Sequence, residues 1–139
     1  MTEIEQRFFD LTNEQRRRGR LPLLVEAEAL STAARRHSQD MLRRRFFSHR
    51  NPDGQDHADR INAVLRWKAS ATAENLWMRS GPLTEAGLPA VVNGAIAQLM
   101  ASKEHHANLM NRRYTHLGIG VMLTATEIRV TQLFARFER

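Results

Sequence analysis

Three stretches of this chain carry side chains able to move protons or hold a metal. His49 follows two phenylalanines and precedes Asn51-Pro52-Asp53-Gly54, so it stands where a helix gives way to a loop. Glu74 lies in an apolar setting, with Ala71-Thr72-Ala73 before it and Leu76-Trp77-Met78 after it. A carboxylate buried there needs partners. The third stretch is Ser102-Lys103-Glu104-His105-His106-Ala107-Asn108. Ser102 is placed to N-cap a helix with His105 at N3, so that the serine oxygen accepts from the His105 amide and fixes how that turn is presented. Glu104 in the first turn suits the helix dipole.

Two imidazoles and one carboxylate are the ingredients of a zinc site with an open position, and equally of a general acid–base set. The spacing is not the compact H-E-x-x-H of a zinc protease, so three separate segments have to converge. Each has a neighbour able to orient it: Ser102 for the His105 turn, Asn75 for the Glu74 backbone, and the Asn51-Pro52-Asp53-Gly54 turn for His49. Ser48 and Ser102 stand near histidines, but the chain has no G-x-S-x-G elbow, which speaks against a serine hydrolase.

The elements that must position these groups are legible from hydrophobic period. Ile4, Phe8, Leu11 and Gln15 follow helical spacing, which predicts a first helix over 3–18 ending toward Gly19. Leu21-Pro22-Leu23-Leu24 reads as an extended connector. A second helix is expected over 26–45, with Ala27, Leu30, Ala34, His37, Met41 and Leu42 on one face and arginines opposite. Helical spacing resumes from His57 to Trp67, and again from Leu83 to Ala101, where Pro89 is early and Gly87 and Gly94 weaken the pattern. The segment 71–78 fits either a strand or a loop. At the end the period changes: 117–123 and 128–135 are β-type runs around a short polar connection, which predicts an antiparallel hairpin. Helices followed by a hairpin make an α+β arrangement.

At 139 residues the chain fits one domain, and 42% hydrophobic content suits a packed core rather than disorder. There is no cysteine, which excludes disulfides, thiolate metal sites and a thiol nucleophile. No apolar run approaches the roughly 20 residues of a membrane span. Met1 leads straight into Thr2-Glu3-Ile4-Glu5, without the basic and apolar regions of an export signal, so either the chain is cytoplasmic or a leader has been removed. The net charge of +6 is carried mainly by arginines at 16–20, 35–36 and 43–45. Such clusters suit an anionic envelope surface or a solvated face. With no interleaved aromatics and no base-reading motif, sequence-specific nucleic-acid binding is not expected.

Taken in order, several pieces resemble the CAP superfamily (pathogenesis-related-1 proteins, venom allergens, cysteine-rich secretory proteins) in its bacterial, cysteine-free form. They are Leu11-Thr12-Asn13-Glu14, Leu21-Pro22-Leu23, His37-Ser38-Gln39-Asp40-Met41, Phe46-Phe47-Ser48-His49 with Pro52-Asp53-Gly54, and Asp59-Arg60-Ile61. Ala73-Glu74-Asn75, Ser102-x-x-His105-x-x-Asn108-Leu109-Met110, Leu117-Gly118-Ile119-Gly120-Val121 and Thr131-Gln132-Leu133-Phe134 complete the set. The resemblance implies a single domain, a three-layer α-β-α sandwich with a small antiparallel sheet, and a cleft lined by two histidines and two acids. His49, Glu74 and His105 match three of those four, with Asn75, Ser102 and Glu104 beside them. Glu104 is the nearest candidate for the missing acid, at a position usually small, and Leu99 stands where tryptophan is common. The resemblance also implies an extracellular or periplasmic module that binds a small or lipidic ligand, with a weakly held Zn²⁺ or other divalent cation. Its rivals are a metal-dependent hydrolase using His49, Glu74 and His105, and an envelope-adhesion domain acting through the arginines.

Overall fold

The computed structural model describes residues 1–66 and 68–137. Helix α1 (Glu3–Arg18) opens on a capping box, in which the Thr2 hydroxyl accepts from the Glu5 amide and the Glu5 carboxylate accepts from the Thr2 amide. It stops at Gly19. The connector then adds a two-residue strand, β1 (Val25–Glu26), so the second helix, α2, runs Glu28–Arg44. Helix α3 (His57–Asn62) starts on a second capping box, Asp56 with Asp59. Strand β2 spans Ala69–Ser80, helix α4 Leu88–Ala101, helix α5 Lys103–Leu109, and the chain ends in β3 (His116–Leu123) and β4 (Glu127–Phe137).

Two expected helices are shorter than their hydrophobic period suggested. The one from His57 ends at Asn62 because a single turn already buries Ile61, and the Val64 and Leu65 amides both fold back onto the Ile61 carbonyl. Trp67, its expected end, lies outside the described residues. The other begins at Leu88 rather than Leu83, since Thr84 closes a turn by accepting from the Gly87 amide through both its carbonyl and its hydroxyl. The ambiguous segment 71–78 is strand, and the hairpin forms with Leu123 opposite Ile128.

The sheet order is β1-β3-β4-β2. It is antiparallel except for β1, which runs parallel to β3 over Val25 and Glu26. Because strand side chains alternate, the sheet serves two cores at once. Ile128, Val130 and Phe134 of β4 join Leu117, Ile119 and Val121 of β3 under Phe8 of α1 and Val92, Ala95, Ile96 and Leu99 of α4. Leu133 and Ala135 face the other way, onto Leu30, Ala33 and Ala34 of α2 and Ile61 of α3. The three layers are therefore α1/α4/α5, the sheet, and α2/α3.

On the α2 side β3 shows glycine where its other face shows Leu117, Ile119 and Val121. A Cβ at Gly118 would fall on the backbone of Leu30 and Ser31, and one at Gly120 on that of Ala34 and Arg35. Helix α2 thus rests its main chain directly on the strand. The face α1 turns inward also departs from its apolar stripe: Glu5, Phe8, Thr12 and Arg16 are the buried residues. Glu5 accepts from Arg35 of α2 and from the Val121 amide, and Thr12 accepts from Gln132. Arg16, expected in the solvated basic cluster, is fully buried and donates to the carbonyls of Pro22, Leu109 and Asn111 at 2.9 Å each.

The two glycine environments give opposite expectations. Gly120→Ala forces backbone against backbone and should destabilise by about 3 kcal/mol, as overpacking does. Gly94→Ala, within α4 where no atom stands within 4 Å of an added Cβ, should stabilise by about 0.5–1 kcal/mol. Urea denaturation of both variants tests this, and a neutral Gly120→Ala would contradict the close packing described.

Candidate functional site

Strand β2 lies at an edge of the sheet, yet Ala73, Glu74, Asn75 and Leu76 are buried on both faces. Consecutive residues of a strand point to opposite faces, and Glu74 and Asn75 use this to hold one layer each. Glu74 faces the α2/α3 side, in register with Leu133; Asn75 faces the α1/α4/α5 side, in register with Gln132.

The Glu74 side chain is wholly buried and completely engaged. Its Oε1 accepts from His49 Nδ1 at 2.9 Å and from Arg60 Nη2 at 3.1 Å, and its Oε2 accepts from Arg60 Nη1 at 2.7 Å. The same guanidinium donates to the His49 carbonyl at 2.6 Å. Arg60 therefore grips both the acid and the main chain of the histidine that the acid orients. Burial acts to raise the Glu74 pKa, but the hydrogen bonds from His49 and Arg60 and the Arg60 charge outweigh it and hold the carboxyl below its usual range. Its hydrogen bond to Glu74 pushes His49 up, against the opposing pull of burial.

Asn75 does not anchor the Glu74 backbone as expected. Its amide donates to the His105 carbonyl at 3.1 Å and to Gln132 at 3.2 Å, while its oxygen accepts from Asn108 at 2.9 Å. Asn108, through its own amide, reaches the Glu74 carbonyl at 3.3 Å. These bonds fasten α5 to β2. Ser102 also departs from expectation: it is the hinge between α4 and α5 and makes no side-chain cap. Its carbonyl takes the His106 amide, and its hydroxyl is taken up instead by His105 Nδ1 at 2.8 Å. The Asn51 turn closes on itself, with Asn51 Oδ1 accepting from the Asp53 and Gln55 amides and Gly54 at φ +84.

His49 and Glu74 share a cleft of ≈ 480 Å³ lined also by Arg50, His57, Asn108 and Tyr114. His105 lies outside that lining. Burial and then the His49 charge push its imidazole down, so the two rings feel each other without touching. Glu104 stays exposed and reaches both histidines only through its charge. Nε2 of His49 and of His105 has no protein partner among the described residues.

This donor set does not fit the zinc triad expected from His49, Glu74 and His105. Both Glu74 oxygens are committed to a guanidinium and an imidazole, which leaves two ring nitrogens. Among the described residues no group of three or more His, Cys, Asp or Glu side chains is placed to hold a metal ion. Arg60 is the site residue that sequence reasoning missed, although the demand of a buried Glu74 for a partner pointed to some cation.

The family model of cysteine-rich secretory proteins (CAP) matches residues 9–134. An uncharacterised protein of Bacillus subtilis, YkwD, is 31% identical over 122 residues, covering 86% of this chain and 43% of its own length. The crystal structure of an extracellular SCP-domain protein from Bacillus anthracis superposes with a TM-score of 0.77 at 30% identity, covering 96% of this chain and 40% of that one. An outer surface protein of Borrelia burgdorferi reaches a TM-score of 0.80 at 22% identity over 99% and 95% of the two chains. The chain spans less than half the length of both Bacillus proteins.

The ion pair makes two expectations. Arg60→Met strands a buried carboxylate and should cost about 3–5 kcal/mol, whereas Arg60→Met/Glu74→Leu should recover most of that loss; equal losses in both proteins would mean that Arg60 acts by packing alone. The pH dependence has a definite sign. The raised His49 contributes stability that is complete below 6.5 and lost as pH rises through its folded value. The lowered Glu74 contributes above 4.5 and loses it as pH falls through its folded value. The stability difference between wild type and His49→Gln should therefore be largest between pH 4.5 and 6.5, measured by thermal melts across the range.

Proposed function

The chain belongs to the CAP family of cysteine-rich secretory proteins, although it has no cysteine, and from that premise we propose that it is a non-catalytic binding module whose His49–Glu74 cleft takes a small or lipidic ligand. The observation that carries this reading is the commitment of Glu74 to Arg60 and His49. A metal-dependent hydrolase would need that carboxylate as a metal ligand or as a base, and here it is spent on orienting an imidazole. The cleft itself is of ordinary ligand size, and it combines an apolar wall at Ala73 with polar groups from His49, Asn108 and Tyr114.

A secreted or periplasmic setting is part of the same proposal. It draws on the extracellular and outer-surface relatives, and no described helix is long and apolar enough to cross a membrane. The adhesion reading loses much of its charge. Arg17 and Arg18 pair with Glu14, Arg35 with Glu5, Arg44 with Asp40 and Asp53, and Arg45 with Glu127.

Native mass spectrometry of the chain incubated with a lipid extract of bacterial envelopes tests the binding reading. Wild type should carry a bound small molecule, and Thr72→Trp, which fills the cleft, should lose it with no fall in melting temperature. A wild-type spectrum showing only the bare chain would remove the reading.

A further inference from the structure

Strand β1 forms the edge of the sheet opposite β2, the strand that carries Glu74. The connector leading into β1 is tied along the segment 109–116. Arg16 bridges the Pro22 carbonyl to those of Leu109 and Asn111, Arg112 Nη2 donates to the Arg20 carbonyl at 3.5 Å, and the Val25 amide donates to the Thr115 carbonyl at 3.0 Å. Asn13 then clamps Leu24, donating to its carbonyl and accepting from its amide at 2.9 Å each. Leu24 belongs to the core, and in extended chain its two neighbours must point the other way. Leu23 and Val25 are accordingly 53% and 60% exposed, the most exposed large apolar side chains among the described residues. Pro22 beside them is exposed as well.

The free charge around this strip is of one sign. Arg20, Arg112 and Arg113 are exposed on the two segments so joined, and none has a carboxylate partner among the described residues. The acids of the neighbourhood serve other groups. Glu14 holds Arg17 and Arg18, while Glu26 accepts from Ser31 and, with Glu28, acts on Arg35. A second copy of this chain would bring the same cations against these. The strip is aliphatic, so it offers no ring on which a nucleic-acid base could stack. Aliphatic side chains beside unpaired cations match instead the border of an anionic bilayer, where phosphates meet acyl chains.

We propose that this edge docks the protein on an anionic phospholipid membrane, with Leu23 and Val25 entering the acyl border and Arg20, Arg112 and Arg113 meeting the lipid phosphates. The clamp on Leu24 holds the two aliphatic side chains outward before any contact, so docking does not have to order them. The surface is separate from the His49–Glu74 cleft, which is built on the opposite edge strand, and stands whatever that cleft binds.

Flotation of the whole chain with lipid vesicles tests the assignment. At low salt the protein should float with vesicles of equal parts phosphatidylglycerol and phosphatidylcholine, and stay behind with phosphatidylcholine alone. Leu23→Ser/Val25→Ser, at exposed positions, should keep the wild-type melting temperature and lose about tenfold in partitioning. Arg112→Gln/Arg113→Gln should also lose about tenfold. Arg36→Gln/Arg43→Gln removes the same charge from exposed positions on α2 and should change partitioning by less than about twofold. The proposal fails if wild type floats with neither vesicle or equally with both, or if the serine variant floats like wild type. Equal losses in the two arginine variants would also overturn it, as diffuse attraction by net charge. So would retention on duplex DNA that depends on Arg112 and Arg113 without any binding to vesicles, which would make a polyanion the partner.

Discussion

How deeply α2 settles on β3 decides the geometry of everything on that side of the sheet. Gly118 and Gly120 remove the two Cβ atoms that would hold the helix off, and its backbone from Leu30 to Arg35 descends onto the strand. At that depth the next turn becomes pinned: the Ser38 hydroxyl donates to the Gly120 carbonyl and meets Thr131 at 2.7 Å. His37, the residue before, is thereby held where its ring bonds the Ser48 carbonyl. One residue further along that loop stands His49, and its ring completes the Glu74 cluster. A chain of short contacts therefore runs from two missing methyl-sized groups to the orientation of an imidazole.

A carboxylate buried among apolar neighbours is stable only when its charge is met. The molecule solves that problem twice with the same parts. Glu5 on α1 and Glu74 on β2 each take an arginine from a different element together with further donors, the Thr2 and Val121 amides for Glu5 and the His49 ring for Glu74. Both clusters tie segments far apart in sequence. With no disulfide among its residues, the fold relies on long-range polar fastenings, and these two charged joints and the amide exchange of Asn75 with Asn108 and Gln132 are among them. The joints differ in exposure: Glu5 is sealed beneath Arg35, whereas His49 leaves half of its side chain open to the cleft.

Much of this was legible from residue order. The hairpin announced itself because its strands are apolar runs around a polar turn, and the first two helices because their apolar residues recur at helical spacing. Strand β2 stayed ambiguous for a physical reason. Its centre is covered on both faces, so Ala73, Glu74, Asn75 and Leu76 show no alternation. His49 and Glu74 stood out by chemistry, but the role of Glu74 depended on Arg60, fourteen positions earlier on a short helix, and nothing local marks which arginine among many turns inward. Ser102 misled because a serine before a short helix has two uses for its hydroxyl, and an imidazole one turn on can claim it from the backbone. Helix α1 misled in the same manner. Its apolar stripe is real, yet the line that ends deepest passes through Glu5, Thr12 and Arg16.

Arg16 is met by main-chain carbonyls alone, those of Pro22, Leu109 and Asn111, and by no carboxylate. Recognition of that kind is blind to side-chain identity at the accepting positions. The seam between the end of α1 and the end of α5 can accordingly drift in sequence at position 111, and at 22 wherever the connector stays extended, without losing its fastening. Position 16 has no such latitude. A lysine has one ammonium where three directed bonds leave a planar fork, and a neutral residue would orphan three carbonyls at once. Mutational tolerance across this seam is therefore lopsided, concentrated on one side chain and relaxed on the backbone partners that hold it.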